Sequence, residues 1–411
     1  MGDMQGRELE LEVTNVAHGG ISVARHDGRV VFVSDAIPGE TVLARITEDS
    51  KKSFWRAETV GVITASEHRQ PHVWCAASID RTPADRAGGA EFGHIEIGHQ
   101  RELKRQVLTD SLKRMAGLDS GVASEVTIEA LPGNADGTGW RTRVRLHVDE
   151  SGRPGPFAAR SHRVIEVSDL PVATGAVSST APLNELFPGE EHIDVLEPST
   201  GGARLIVGRQ KPMTIRERVG DREFRLDDGG FWQVHAHAAE TLTRAVQDAI
   251  DPALFDPRAQ NLDLYGGVGL LAAAVGDRFG PTSRITSVES DPRATEHAGE
   301  NLSEWLGAQA ITARVERWIA TLAATAGGSR LSGATVVLDP PRSGAGKEVV
   351  NALAELAPAQ LVYVACDPVA LSRDVGLLRE RGYELTALRA FDLFPNTHHV
   401  EAVARLTRLD Q

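Results

Sequence analysis

The residue best placed to act as a nucleophile is Cys366, in VYVACDPVALSRD (residues 362–374), after an apolar, strand-like run and directly before Asp-Pro. A free cysteine is ordinarily a small buried hydrophobe, inert unless its thiol ionises. Here the residues that follow, PVALSRDVGLLRERG, read as a helix whose N-terminal dipole favours an anion, so a thiol at least partly ionised is expected. A carboxylate of interest, Glu401, interrupts the apolar register of HHVEAVARL. A charge there is costly unless it is paired or used. His398 and His399 invite a metal reading with Glu401, but adjacent histidines point differently on a strand and no third spaced ligand follows. No metal is expected.

Two Gly- and Pro-rich turns suggest a nucleoside ligand. DLYGGVG sets Asp263 at a strand end and Gly266, Gly267 and Gly269 in the turn that opens a helix; Glu289 follows Gly269 by twenty residues, near the spacing of a ribose-binding carboxylate. These glycines do not form GxGxxG, and the turn suits S-adenosylmethionine better than a dinucleotide. In VVLDPPRSG, Asp339 precedes two prolines, a stiff turn able to present a flat surface to a planar base. The motif is close to the D-P-P-aromatic signature of enzymes that methylate exocyclic amines, with Arg342 where the aromatic would stand. Finally, Arg141, Arg143 and Arg145 alternate along GWRTRVRLHV, so an extended strand projects all three to one face. Such a stripe is commonly solvated surface, yet it also suits phosphate contacts.

The elements that must hold these groups fall into three parts. Residues 7 to 63 read as five short strands separated by Gly, Asp and Pro-Gly turns, a small barrel. A polar connector follows, then a helix-like RELKRQVLTDSLKRMAGL and further strands. Beyond about residue 240, apolar strands alternate with helical patterns, which implies a parallel sheet covered on both faces, with ligands at the carboxyl ends of its strands.

Bulk properties exclude several classes. With 411 residues, 41% of them hydrophobic, the chain can bury more than one core. Two cysteines cannot build a disulfide framework, and the opening MGDMQGRELELEV has no signal-peptide pattern, so a reducing, cytoplasmic location is expected. No apolar run is long enough to span a bilayer and position 6 is Gly, not Ser or Thr, so neither a membrane nor myristoylation is expected. A net charge of −13 and a pI of about 5.6 argue against coating nucleic acid through bulk charge, though not against a local basic patch. A monomer is expected.

Taken together, the motifs FWQV, DLYGGVG, VES, LDPPRSG, VYVACDP and HHVEAVA, in this order, resemble the class I S-adenosylmethionine-dependent RNA 5-methyluridine methyltransferases. VAHGGISVARHDGRVVFVSDAIPGETVLARI resembles their TRAM domain, an OB-like RNA-binding barrel. The resemblance implies an α/β fold: a TRAM-like barrel over 1–63, a connector and β-rich RNA-contacting region over 64–99 and 119–225, and a Rossmann-like catalytic domain over 100–118 and 226–411. It implies donor contacts from Gln233, Tyr265, Gly267, Glu289 and Asp339, a nucleophilic role for Cys366 and a basic one for Glu401. Arg141, Arg143, Arg145 and Arg342 would meet the substrate, a uridine in transfer or ribosomal RNA. Many members also carry four cysteines for an iron–sulfur cluster, whereas here Ala87 and Ala90 flank the Gly-Gly and Cys75 stands alone, so no cluster is expected. Gly266 and Leu270 also replace a cysteine and an asparagine common in the donor turn. Two other readings compete. An exocyclic-amine methyltransferase explains DPPR but leaves Cys366 and Glu401 idle, and a non-catalytic RNA-binding protein explains the barrel but not the cysteine.

Overall fold

The computed structural model describes residues 4–326 and 331–409; the expected domain edges at 1 and 411 fall outside them. Strands Glu8–Ala17, Ile21–His26, Arg29–Ser34, Phe54–Thr64 and Thr41–Glu48 pair in that order, and the last returns to the first to close a barrel. Closure follows from alternation: Leu11, Val13, Ala24, Val31, Val33, Val42, Ala44 and Ile46 point inward and are buried, while the residues between them face solvent or the rest of the chain.

The polar connector is not a loose linker. Trp74, Ala76, Ala77, Ala87 and Ala90 are buried in one core with Trp140 and Leu146, beneath a four-stranded sheet ordered Arg204–Val207, His192–Leu196, Arg143–Val148, Pro154–Gly155. Ala87 and Ala90 therefore pack as apolar core and Cys75 is exposed, so the described residues here do not fit a four-thiolate cluster.

An eight-stranded sheet organises the C-terminal half. Its order is Ala308–Thr312, Ile285–Glu289, Asn261–Leu264, Thr335–Leu338, Gln360–Ala365, Glu401–Arg408, Tyr383–Asp392, Ile128–Ala130. The first five strands are parallel, and Glu401–Arg408 runs antiparallel to both neighbours. Both faces are covered, as a parallel sheet requires. Leu361, Tyr363 and Ala365 bury into one core, and Val362 and Val364, from the same strand, into the opposite one. The helix Ile97–Ser111, prolonged by a wider turn over Leu112–Ala116, adds Leu108, Leu112 and Ala116 to the first core beside Leu371, Val375 and Leu378 of the helix Pro368–Arg379.

Two elements lie elsewhere than the sequence suggested. Ile128–Ala130, expected in the central region, pairs in parallel with Tyr383–Asp392 and closes the edge of the eight-stranded sheet, where Arg389 also grips both oxygens of Glu129 at 2.8 Å. The hairpin Thr214–Val219 and Arg222–Asp227 shares a core of the eight-stranded sheet through Ile215, Phe224 and Leu226. Three- to six-residue strands carry too little periodicity to reveal their partners. Among the described residues, no helix is long and apolar enough to cross a membrane.

Candidate active site

The chain leaves Asn261–Leu264 toward one side of the sheet and returns to Thr335–Leu338 on the other, so the crevice above these two strand ends is the switch point where α/β sheets bind ligands. A cavity of about 1180 Å³ opens there. Tyr265 enters it with φ 62°, a left-handed backbone that a residue with a side chain adopts rarely and at a cost. Gly267 (φ 53°) follows, and its N–H donates to Glu289 Oε2 at 3.1 Å. The other oxygen, Oε1, accepts from the backbone of Ser290 and Asp291, which fixes the carboxylate at the cavity wall. At Gly266 a Cβ would lie 2.0 Å from Ser287 Oγ and 2.6 Å from Asp263 Oδ2, so a side chain here would have to displace them. Leu270 buries into the core behind the turn.

Gln233 lines the same cavity, held by backbone pairing of the next residue: Val234 O accepts from Thr142 N at 2.8 Å and from its hydroxyl at 3.0 Å. Asp339 lies beside the Tyr265 turn, its N–H donating to Leu264 O at 3.2 Å. The loop after it is tied down. Tyr363 Oη accepts from Ala345 N at 2.9 Å and donates to buried Asp374 Oδ2 at 2.7 Å, and Arg373 holds Ser343 O at 2.7 Å. Arg342, exposed on this loop, reaches over the cavity to within 3.5 Å of His399 Nε2.

Cys366 and Glu401 come together through strand order. Ala365, the last residue of its strand, pairs with Ala402 in the antiparallel ladder, which brings Cys366, just past that strand end, near Glu401, the first residue of the adjoining strand. Both line the cavity. Glu401 is 4% exposed. Among the described residues no group of three His, Cys, Asp or Glu is placed to hold a metal ion.

Enclosure shapes the protonation states. Burial, then the charge of Asp339, raises the Glu401 carboxyl well above its usual range, with Arg342 opposing. Asp339 is pushed up to about 7 by burial and by Asp263, and Asp263 to about 7 chiefly by burial. The Cys366 thiol does not follow the helix-dipole expectation. Burial, then Glu401 and Asp339, push it up to about 12 despite Arg342, so in the ligand-free protein it is a thiol.

The arginine stripe is also corrected. Arg145 grips Asp194 through two hydrogen bonds of 2.7 Å, and Arg143 donates to Glu217 at 3.2 Å and to Gly230 O at 2.9 Å. Only Arg141 of the three lines the cavity, where burial and then its neighbour Arg342 lower its pKa. Sequence reasoning missed Arg209, Lys211 and Phe231, which stand on the cavity wall, Phe231 being 76% exposed. GRQKP between two strands and the first residue of FWQV were the available signals.

A TRAM domain model matches residues 2–58, and a tRNA (uracil-5-)-methyltransferase model matches residues 320–409, the segment that carries Asp339, Cys366 and Glu401. The chain is similar to an uncharacterized RNA methyltransferase of Streptomyces avermitilis, 37% identical over 98% of each chain. A second, from Corynebacterium glutamicum, is 33% identical over 98% of each. The fold is similar to that of the Pyrococcus abyssi tRNA (uracil-54, C5)-methyltransferase in complex with S-adenosyl-L-homocysteine, with a TM-score of 0.70 and 20% identity over 97% of this chain and 100% of that one.

Proposed function

Since this chain belongs to the RNA uracil-5 methyltransferase family, whose methylation depends on S-adenosylmethionine, we propose that it methylates carbon 5 of a uridine in transfer or ribosomal RNA through a covalent Cys366 adduct. The reading is carried by one observation: Cys366, just past one strand end, and Glu401, at the start of the adjoining strand, both line the cavity that Tyr265, Glu289 and Asp339 also line.

Those residues fit the donor. Gln233, Tyr265, Gly267, Glu289 and Asp339 would hold it, with Gly267 and Glu289 suited to a ribose. When bound, S-adenosylmethionine supplies an electrophilic methyl group and a positive charge that favours the anionic forms of neighbouring groups. Carbon 5 of uracil is a weak nucleophile. Cys366 makes it reactive: the thiolate bonds to carbon 6, and the displaced electron pair makes an enolate with carbon 5 able to attack the methyl group. Arg342, beside the thiol, favours the thiolate. Glu401 then takes the proton from methylated carbon 5, the C–H electron pair restores the ring double bond, and the thiolate leaves. Arg141 and Arg342 are the cations of the predicted set that face this space.

The test is tritium release. RNA labelled at uridine carbon 5, incubated with protein and donor, loses tritium only if carbon 5 is the target; exocyclic-amine methylation and simple RNA binding retain it. Cys366→Ala should abolish release with donor binding intact. Mapping 5-methyluridine in transfer and ribosomal RNA from cells lacking the gene identifies the substrate.

A further inference from the structure

We propose that the turn between the first two barrel strands, residues 18–20, is a positioning element of the catalytic centre, acting on both the Cys366 loop and the segment leading into Glu401. This rests on the reading of Cys366 as nucleophile.

Two contacts carry it. His18 Nε2 lies 3.3 Å from Asp367 Oδ2. The opposite oxygen of Asp367 accepts from the backbone N–H groups of Val369 and Ala370 at 3.0 and 2.8 Å, capping the helix that starts there. One carboxylate thus joins the barrel turn to the helix start and sits on the residue bonded to Cys366. On the other side, Gly20 (φ +70°) packs on the loop before Glu401: a Cβ there would lie 2.4 Å from His398 Cβ and 2.8 Å from the Phe92 ring. A side chain at position 20 cannot be fitted unless His398 or Phe92 moves.

The turn is held rigidly enough to act this way. Val16 and Ile37 of the barrel share a buried cluster with Phe92, Ile95 and Leu103, and Gln106 Nε2 donates to Asn15 Oδ1 at 2.6 Å. His18, Gly20, Cys366, Asp367 and His398 line one small gap at this seam, so the thiol borders the barrel as well as the main cavity. Attack on carbon 6 needs the sulfur at near-bonding distance and in line, and a small displacement is enough to slow it. The barrel therefore supplies geometry to the nucleophile in addition to any RNA contact it makes.

The experiment compares wild type, His18→Ala, His18→Gln and Gly20→Ala. RNA transcripts of transfer and ribosomal RNA containing 5-fluorouridine are used with saturating RNA and S-adenosylmethionine, and the rate of denaturant-resistant adduct is read. RNA affinity is measured separately in a Cys366→Ala background, and donor affinity and melting temperature on each variant. We expect His18→Ala to slow adduct formation by about three- to tenfold, the scale of one partly exposed polar contact, with affinities and melting unchanged. His18→Gln, whose amide can reach the same oxygen, should restore the rate, and Gly20→Ala should slow it without weakening donor binding. An unchanged rate in His18→Ala overturns the proposal. So does a fall in RNA affinity with the saturated rate unchanged, which would make the turn an RNA contact only. If Cys366→Ala itself keeps turning over, the nucleophile reading fails first, and that result is distinct from either.

Discussion

Lys104 Nζ lies 2.5 Å from Asp392 Oδ1, and the two side chains are 0% and 1% exposed. The pair joins the helix Ile97–Ser111 to the end of the strand Tyr383–Asp392, at the root of the loop that returns to Glu401. Lys104 also donates to Phe394 O at 3.1 Å, so its ammonium is well satisfied although burial lowers its pKa.

Removing one partner of such a pair leaves a buried charge uncompensated. Lys104→Met should therefore cost about 3–5 kcal/mol in urea unfolding followed by tryptophan fluorescence, and adding Asp392→Leu should recover much of it. A single variant within about 1 kcal/mol of wild type would mean that Arg101, 3.4 Å from the other oxygen, takes over the charge.

The raised thiol gives a pH prediction. With Cys75→Ala as background, iodoacetamide alkylation of Cys366 in ligand-free protein should be slow near neutrality and rise about tenfold per pH unit below its pKa, because only thiolate reacts. The signs of two variants differ. Glu401→Gln removes a negative charge that raises the pKa, so alkylation at about pH 9 should quicken by roughly three- to tenfold; Arg342→Gln removes the opposing positive charge and should slow it. Equal rates in all three proteins would contradict this electrostatic account.

Glu401→Gln should also divide the reaction. Addition of Cys366 and methyl transfer need no base at carbon 5, whereas release does, so the variant should accumulate a denaturant-resistant protein–RNA species labelled from the donor methyl group. It should vanish when Cys366 is replaced as well. Normal turnover, or only unmethylated adduct, would remove Glu401 from the catalytic assignment.

RNA binding distinguishes the arginines. Arg141→Gln and Arg342→Gln should each flatten the dependence of log affinity on log salt, by up to about 0.7 per lost single-strand phosphate contact. Arg145→Gln should leave that slope unchanged, since its guanidinium is occupied by Asp194. A flatter slope for Arg145→Gln would mean that RNA displaces the carboxylate.

Local pattern made much of this protein readable. The apolar strand-like runs RVVFVS and VYVAC carry the barrel and the sheet, and DLYGGVG and LDPPRSG mark strand ends because turn chemistry is written in adjacent residues. What escaped depends on distant partners. Arg145 meets Asp194 at a separation of 49 residues and Arg143 meets Glu217 at 74, so the stripe looked free when it was not. The thiol was judged from the helix after it, while the groups that set its state, Glu401 and Asp339, arrive on other strands. The meeting of Cys366 and Glu401 in one cavity depends on the last strand inserting between two earlier ones, which no local pattern encodes.

The strand Ile128–Ala130 is synthesised long before Tyr383–Asp392, the strand whose free edge it covers. The catalytic sheet is finished by a piece of chain that leaves the ribosome among the first and must wait for its partner. Cut from its N-terminal half, the methyltransferase portion would present an open backbone edge, ready to pair with another copy. Gene truncation or module exchange at residue 226 would then yield aggregation in place of a smaller enzyme.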